Sequence, residues 1–259
     1  MKASTQNAID QHIISEYPNE ACGLLLENGM YFPCKNTSVT PLESFRIDPE
    51  QFAEAEDISP VAGVVHSHPN WSATPSEGDR VSCENLGLPW HIYSVNRNDT
   101  GELLRDDYSV LMPTGYKSPL VGRTFLHGTL DCLQVVLDYY RWELGIELGE
   151  FDREDDWWNK GQNLYLDLLP KAGFVRLKTD PEDTEFREGD VILMQIRSPV
   201  PNHAGIYLEN GSLKSQPDLL PTPGSVLHHL YNRDSTREVY GGYWLKHTVS
   251  VWRYHGGLS

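Results

Sequence analysis

The stretch Val61-Ala62-Gly63-Val64-Val65-His66-Ser67-His68-Pro69 joins an apolar run to two histidines. The β-branched residues predict a buried strand that ends at the histidines. Because side-chain direction repeats every two residues along a strand, His66 and His68 should point to the same side. Asp79 follows on the next turn and can supply a third ligand. Two imidazoles and one carboxylate are the ligand set of a catalytic zinc ion that keeps one position open.

Ser76 and Asp79 belong to Pro75-Ser76-Glu77-Gly78-Asp79, which predicts the start of a helix. The Ser-x-x-Asp spacing is also that of a helix cap, so these two residues have a purely structural interpretation. His66 and His68 have one too, as polar residues of a half-buried strand. The complete set of ligand types favours the metal site over either structural interpretation.

Glu20 begins a second predicted strand, Glu-Ala-Cys-Gly-Leu-Leu-Leu. Together with His-Ser-His-Pro and Ser-Glu-Gly-Asp, it resembles the motif of the JAMM (MPN, Mov34-type) metallopeptidases. The resemblance implies a zinc cofactor, with His66, His68 and Asp79 as metal ligands. It further implies that Glu20 takes the proton of an attacking water and that Ser76 hydrogen-bonds the oxyanion. Members of this family cut peptide or isopeptide bonds.

The composition is that of a globular chain with an acidic excess. Of its 259 residues, 39% are hydrophobic, and the formal net charge is -16. This charge argues against nonspecific nucleic-acid binding, which needs a positive surface. No apolar run approaches the length of a membrane span, and the first residues lack the apolar stretch of a signal peptide. We therefore expect the protein to be made and folded in a cytoplasm.

Helix and strand signals alternate through the first half, which predicts an α/β unit. The predicted elements are a helix over residues 5–17, strands over residues 20–26, 61–65 and 90–95, and helices beginning near residues 48 and 75. Residues 96–119 carry few apolar patterns and include Pro113, Gly115 and Pro119, which indicates a boundary near residues 116–119. The predicted domains are residues 1–116 and residues 117–259.

The second half predicts a helix from Asp131 to Tyr140 whose first turn holds Cys132. Strands are predicted over residues 191–194, 203–208, 226–230 and 243–254. A cysteine at a helix N-terminus feels the positive end of the helix dipole, which favours the thiolate. His203, arriving from a strand, can act as general base, with a third polar residue orienting it.

The other cysteines, Cys22, Cys34 and Cys83, are most simply small buried hydrophobic residues. No pair among the four cysteines has CxxC spacing, and no disulfide scaffold is indicated. Cys132 alone is placed for chemistry.

The local sequences around Asp131-Cys132, Gly189-Asp190-Val191 and His203-Ala204-Gly205-Ile206-Tyr207 resemble the NlpC/P60 cysteine peptidases. The resemblance implies a papain-like α+β domain in which Cys132 attacks a carbonyl. His203 would move the proton, and His228 would orient His203. The insertion from Ser212 to Gly224 blurs the register, so His229 is an alternative to His228. Members of this family commonly cut the peptide stems of bacterial cell wall.

Two positions depart from the NlpC/P60 pattern. Leu133-Gln134 replaces the small Ser-Gly pair that often follows the cysteine. Leu120 stands where many members place a tyrosine near the oxyanion. Both departures concern the fit of the substrate more than the catalytic pair.

The order of the two domains resembles the K-type tail-tip proteins of long-tailed bacteriophages. Further similar segments are Gly122-Arg123-Thr124-Phe125 and the closing Val239-Tyr240-Gly241-Gly242-Tyr243-Trp244-Leu245. The resemblance implies other tail-tip proteins as partners and peptidoglycan peptide as substrate. It also implies assembly in the host cytoplasm and a final place in the tail tip of the virion. The alternative is a structural tail-tip component that uses two peptidase folds as binding modules.

Overall fold

The structure is a computed structural model that describes residues 1–149, 151 and 157–256. Contacts divide the chain into two compact units, Met1–Lys117 and Ser118–Ser259. Each unit builds its own sheet and its own hydrophobic core. The predicted end of the second domain, Ser259, lies outside the described residues.

The first unit is a five-stranded sheet with helices on both faces. Its elements are α1 (Ala3–Glu16), β1 (Cys22–Leu26), β2 (Tyr31–Cys34), α2 (Pro49–Ile58), β3 (Val61–Pro69), α3 (Glu77–Leu86), β4 (Trp90–Arg97) and β5 (Leu103–Leu111). The order across the sheet is β2-β1-β3-β4-β5. Strands β3 and β4 are parallel, and the other neighbours are antiparallel. The β3-α3-β4 crossover makes this parallel pair, which confirms the predicted α/β fold.

The alternation of side chains along β3 assigns its residues to two cores. Val64 lies in the cluster that contains residues of α2 and α3, whereas Val65 lies in the cluster that contains residues of α1. His66 and His68 continue the series of Val64 with a period of two. The two histidines therefore face the side of the sheet on which α3 packs.

Strand β5 lies within residues 96–119, where the sequence predicts no sustained apolar element. It pairs with β4 alone, at the edge of the sheet, and most of its residues are exposed. Only the ends of β5, Leu103 and Leu111, pack against the cores, and a strand whose middle is exposed carries no continuous apolar pattern. The sequence therefore gives no prediction of this strand.

The second unit is a six-stranded antiparallel sheet with its helices packed against it. Its elements are α4 (Cys132–Tyr139), α5 (Leu164–Lys171), β6 (Phe174–Arg176), β7 (Val191–Met194), β8 (His203–Leu208), β9 (Ser225–His228), β10 (Thr236–Val239), α6 (Gly242–His247) and β11 (Thr248–Tyr254). The order across the sheet is β10-β9-β8-β7-β11-β6. Helix α4 is almost entirely buried and packs on β8 and β9. This arrangement confirms the predicted α+β class.

Helix α6 occupies part of the segment for which the sequence predicts strands, residues 243–254. The aromatic and β-branched residues there favour a strand, and the strand β11 begins only at Thr248. Trp244 in the helix packs its ring 4.3 Å from that of His228, and its indole Nε1 donates to Glu238 at 3.1 Å. Tertiary packing thus overrides local propensity, and the prediction was wrong for residues 243–247.

Candidate active sites

The three predicted metal ligands meet on one face of the first unit. His66 and His68 end β3, and Asp79 lies in the first turn of α3. His66 Nε2 is 3.1 Å from Asp79 Oδ1, and His68 Nε2 is 3.3 Å from Asp79 Oδ2. The two Nε2 atoms are 3.1 Å apart. The three side chains form a group that can hold a metal ion.

These separations fit a tetrahedral zinc ion. Ligand bonds of about 2.0 to 2.2 Å at tetrahedral angles place neighbouring ligand atoms about 3.3 Å apart. His68 is also oriented as metal-binding histidines usually are, because its Nδ1 lies 2.9 Å from the carbonyl oxygen of Ser72. A carbonyl can only accept, so Nδ1 carries a proton and Nε2 of the neutral ring offers its lone pair. The sequence carries no signal for Ser72, which acts through its main chain.

The electrostatics of the cluster favour a cation between the histidines and Asp79. Burial raises the pKa of Asp79, but the electrostatic interaction with His66 and hydrogen bonds from both histidines outweigh it and hold the pKa below its usual range. Burial lowers the pKa of His68, and hydrogen bonds to Asp79 and Ser72 reverse this to a net rise. A proton and a metal ion therefore compete for the same place beside the Asp79 carboxylate.

His66 is fully buried and held between aromatic rings. Its imidazole stacks on Phe45 at 4.8 Å between ring centres and meets Trp90 edge-on at 5.3 Å. Burial lowers the pKa of His66, although the Asp79 carboxylate opposes the shift. A neutral, immobilised imidazole is the form that binds a metal ion.

Ser76 and Asp79 form the capping box of α3. The Ser76 hydroxyl oxygen accepts from the backbone N–H of Asp79 at 3.1 Å, and Asp79 Oδ2 accepts from the backbone N–H of Ser76 at 2.7 Å. Asp79 can therefore serve as a cap residue and as a metal ligand at the same time, because its Oδ1 still faces His66. Ser76 is exposed, and its hydroxyl proton is not used by the cap, so the hydroxyl can still donate to a substrate.

Glu20 reaches the cluster through the register of β1 and β3. Cys22 lies opposite His66, and Ala21 and Ser67 exchange hydrogen bonds, so Glu20 comes to lie beside His68. Glu20 is 8% exposed. Burial raises its pKa to about 8; the charge of His68 lowers it in part and that of Asp79 raises it. Glu20 can thus hold or release a proton near neutral pH.

Cys132 begins α4 in the second unit. Asp131 caps the helix, and its carboxylate accepts from the backbone N–H of Gln134 at 3.0 Å. Cys132 is partly exposed, whereas Cys22, Cys34 and Cys83 are buried. Among the four thiols, the one at the helix start is the one that solvent can reach.

His203 and His228 lie on neighbouring strands, and their rings are hydrogen-bonded to each other. His203 Nε2 is 3.1 Å from His228 Nδ1, because the register of β8 and β9 places His228 opposite Gly205. A neutral His203 that donates from Nε2 keeps a lone pair on Nδ1 for a thiol proton. Burial lowers the pKa of His203 well below its usual value, and its histidine neighbours add to the shift.

His228 rather than His229 contacts His203. His228 is fully buried, and its Nε2 lies 3.8 Å from Glu238 Oε1. His229 packs against Phe125, with ring centres 5.1 Å apart. Burial lowers the pKa of both His228 and His229 to about 4, so both rings are neutral at neutral pH.

Cys132 and His203 line one cavity of about 270 Å³. Its wall is mainly apolar and aromatic, with a few polar groups, which is the usual character of a small-ligand site. The other lining residues are Phe125, His127, Asp131, Leu133, Trp157, Trp158, Leu164, Tyr165, Ile196, Arg197, Asn202, His229, Leu230 and Tyr231. The cysteine thus lies at the wall of a cavity rather than on an open surface.

Tyr165 is a site residue that the sequence does not indicate. Its hydroxyl oxygen lies 3.1 Å from Cys132 Sγ, although the two residues are 33 positions apart. Leu120 is fully buried in the core and offers no hydrogen-bonding group. Tyr165 belongs to α5, whose sequence pattern is that of an ordinary packing helix, so only the fold reveals it.

Two family models match the chain, one in each unit. Residues 2–106 match the prokaryotic homologs of the JAB domain, and residues 122–253 match the NlpC/P60 family. The fold and the two sites thus define a chain with a JAB-type domain followed by an NlpC/P60 domain. None of the helices in the described part of the chain is long and apolar enough to cross a membrane.

Two relatives are similar to this chain over most of its length. The chain is 38% identical to "Tail tip assembly protein K" of Escherichia phage N15, over 98% of this chain and 96% of the relative. It is 35% identical to "Tail tip assembly protein K" of Escherichia phage lambda, over 80% of this chain and 89% of the relative. The chain belongs to the tail tip assembly protein K family, and the predicted resemblance is confirmed.

A solved structure matches one part of the chain. It is a solution structure of a protein from Desulfitobacterium hafniense, 25% identical with a TM-score of 0.31, covering 41% of this chain and 88% of that protein.

Proposed function

We propose that this protein carries two peptidase sites in a phage tail tip. The first is a zinc-dependent peptide or isopeptide hydrolase, and the second is a cysteine endopeptidase that acts on peptidoglycan stem peptides. The protein is assembled with other tail-tip proteins in the host cytoplasm and acts from the tail tip of the virion. The observation that carries the proposal is that Cys132 and His203 line one cavity, and that His203 Nε2 lies 3.1 Å from His228 Nδ1.

In the first site, His66, His68 and Asp79 would hold the zinc ion. A bound zinc ion acts as a Lewis acid and makes an attacking water more acidic. Glu20 takes the proton of that water and later gives it to the leaving amine. The Ser76 hydroxyl donates to the oxyanion that forms on the substrate.

In the second site, His203 takes the proton of the Cys132 thiol, and the thiolate attacks the substrate carbonyl carbon. His228 holds the ring of His203 through the bond between Nε2 and Nδ1. His203 then gives its proton to the leaving amine, and water hydrolyses the thioester that remains. Because burial disfavours a charged His203, the imidazolium is short-lived and returns its proton readily.

The acidic charge of the chain bears on how the wall is reached. A net charge of -16 opposes electrostatic attraction to anionic wall polymers. A tail that is already bound at the cell surface supplies a high local concentration without such attraction. The tail tip therefore supplies the proximity that the surface charge of this chain does not.

Digestion of purified bacterial cell wall tests the cysteine site. Wild type and Cys34→Ala, a control at a buried cysteine, should release the same stem peptides. Cys132→Ala should release none, because the nucleophile is gone. Mass spectrometry of the soluble products gives the bond that is cut. If Cys132→Ala released the same products as wild type, the cysteine site would be refuted. If none of the three proteins released any product, a structural role for the two folds would be favoured.

A further inference from the structure

The Cys132 thiol is contacted by a tyrosine as well as sharing its cavity with His203. Tyr165 Oη lies 3.1 Å from Cys132 Sγ. Tyr165 belongs to α5 and Cys132 to α4, so the contact joins two separate helices. Both residues line the cavity that also contains His203. A hydroxyl is thus placed at the reacting sulfur from an element that the proposed mechanism does not use.

The position of this hydroxyl is fixed by packing. Tyr165 is 2% exposed and belongs to the hydrophobic core of the second unit. The ring of Trp157 meets it edge-on, with centres 5.7 Å apart. A buried ring held in this way presents its oxygen at one place, so the group is preorganised toward the sulfur.

The chemistry of the contact determines which group donates. A thiol and a tyrosine hydroxyl can each donate or accept, but a thiolate can only accept. Once His203 has removed the thiol proton, the Tyr165 O–H must therefore be the donor. A hydrogen bond to a charged acceptor stabilises it and favours the thiolate over the thiol.

We propose that Tyr165 is a further catalytic residue of the cysteine site, donating first to the Cys132 thiolate and then to the substrate oxyanion. This proposal rests on the cysteine peptidase function proposed above. When Sγ bonds to the carbonyl carbon, the C=O π pair moves to the oxygen. The sulfur loses its negative charge and the oxygen gains it. The Tyr165 O–H turns from the sulfur to the adjacent oxygen, and no proton leaves the tyrosine.

Collapse of this intermediate restores the carbonyl. The oxygen lone pair re-forms the C=O bond, the C–N bond breaks, and the leaving amine takes the proton from His203. Tyr165 returns to the sulfur when water has hydrolysed the thioester and the thiolate is regenerated. The tyrosine stabilises both charged states of the cycle and is unchanged at its end.

Tyr165→Phe tests this role without a peptide substrate. The ring and its packing are kept, and the donor alone is removed. In the full-length protein, we expect the midpoint pH of Cys132 alkylation by iodoacetamide to rise by about 1 to 2 units, since hydrogen bonds to charged groups contribute about 1.5–3 kcal/mol. Tyr207→Phe, the same change on β8, should leave the midpoint where it is in wild type.

A second measurement isolates the oxyanion. Acylation of Cys132 by p-nitrophenyl acetate is followed above the alkylation midpoint of each variant, where the thiolate is fully formed. Tyr165→Phe should slow this step by about 10- to 100-fold, because a preorganised oxyanion donor is lost. A normal circular dichroism spectrum and melting temperature show that the variant is folded.

The outcomes separate this proposal from the proposed function. An unchanged alkylation midpoint together with an unchanged acylation rate overturns the role of Tyr165. A raised midpoint with an unchanged acylation rate overturns the donation to the oxyanion. If neither wild type nor any variant releases wall peptides, the wall-peptidase function fails. The alkylation midpoint and the rate of acylation by p-nitrophenyl acetate still test the role of Tyr165.

Discussion

At the level of single residues, the two sites orient their histidines with different partners. His68 Nδ1 lies 2.9 Å from the Ser72 carbonyl oxygen, and His203 Nε2 lies 3.1 Å from His228 Nδ1. A carbonyl only accepts, so it fixes one tautomer of His68, as a metal ligand requires. An imidazole can donate or accept, so the pair His203–His228 can adjust to a proton that comes and goes.

Glu20→Gln is expected to keep the metal and remove turnover at the first site. The change preserves the shape of the side chain and removes the proton acceptor. A general acid or base typically contributes about 100- to 10,000-fold to the rate, so turnover should fall by about that factor. Metal content by mass spectrometry and digestion of a peptide library, both in a Cys132→Ala background, give the two readouts. Glu27→Gln, at an exposed glutamate, is the control. Loss of the metal in Glu20→Gln would show instead that Glu20 is a ligand.

Cys132 is expected to alkylate faster than the other three cysteines in folded protein. Burial raises the pKa of Cys22 and Cys34 to about 12 and that of Cys83 to about 11, so these thiols stay protonated. His203→Ala should slow labelling of Cys132, because the thiol loses its base. Site-resolved iodoacetamide labelling near neutral pH measures both effects.

Two results would contradict the pairing of Cys132 with His203. One is equal labelling of all four cysteines before unfolding. The other is a rate in His203→Ala equal to that of wild type. His255→Ala, at an exposed histidine, controls for the loss of an imidazole elsewhere in the unit.

The His228 ring should make the stability of the protein depend on pH. Burial sets its folded pKa at about 4, below the ordinary 6.5. Between pH 6.5 and 4 the unfolded chain binds a proton that the folded chain does not. The contribution of His228 to stability is therefore full above pH 6.5, falls as the pH drops from 6.5 to 4, and is lost once the pH has fallen through the folded pKa. The shift corresponds to a loss of the order of 3 kcal/mol.

Urea unfolding at several pH values between 4 and 7 measures this dependence. His228→Asn, which keeps a hydrogen-bonding group without the titration, should show a shallower fall than wild type. His255→Gln should fall as steeply as wild type. Equal slopes for all three proteins would show that His228 does not titrate as its burial implies.

At the level of elements, the cap of α3 does two things at once. The same Ser76–Asp79 box that starts the helix also holds a metal ligand in its first turn. Helix α2 offers a comparison, because the Asp48 carboxylate caps it by accepting from the backbone N–H of Glu50 at 2.9 Å and belongs to neither of the two candidate sites. The two helices therefore separate the effect of a cap on stability from its effect on the ligand.

Ser76→Ala and Asp48→Ala should each lower the free energy of unfolding by about 1 kcal/mol. Only Ser76→Ala should also weaken metal binding, because the first turn that carries Asp79 loses its anchor. Urea unfolding of metal-free protein and zinc titration against a competing chelator measure the two quantities. Equal zinc affinity in Ser76→Ala and Asp48→Ala would show that the cap does not position Asp79.

At the level of the whole molecule, each unit has its own core and its own site. The two sites should therefore be independent. His68→Ala should abolish binding of the expected one zinc ion per chain and leave the alkylation rate of Cys132 unchanged. Cys132→Ala should leave the zinc content unchanged. Metal analysis and thiol labelling of the full-length variants measure this, and a change at the second site in either variant contradicts it.

The sequence by itself determined those relations that lie within one element. A period of two along β3 places His66 and His68 together, and the Ser-x-x-Asp spacing places Asp79 at the start of α3. The helix signal after Asp131 likewise places Cys132 in a first turn. These relations depend on the geometry of a single strand or helix, which local spacing specifies.

Only the tertiary structure decided the relations between elements. The register of β8 and β9 selects His228 over His229 as the partner of His203. The packing of α5 brings Tyr165 to the thiol. Strand β5 is stabilised by its pairing with β4, since most of its side chains are exposed. Register and packing depend on contacts between distant segments, and the spacing of residues within one segment carries no information about them.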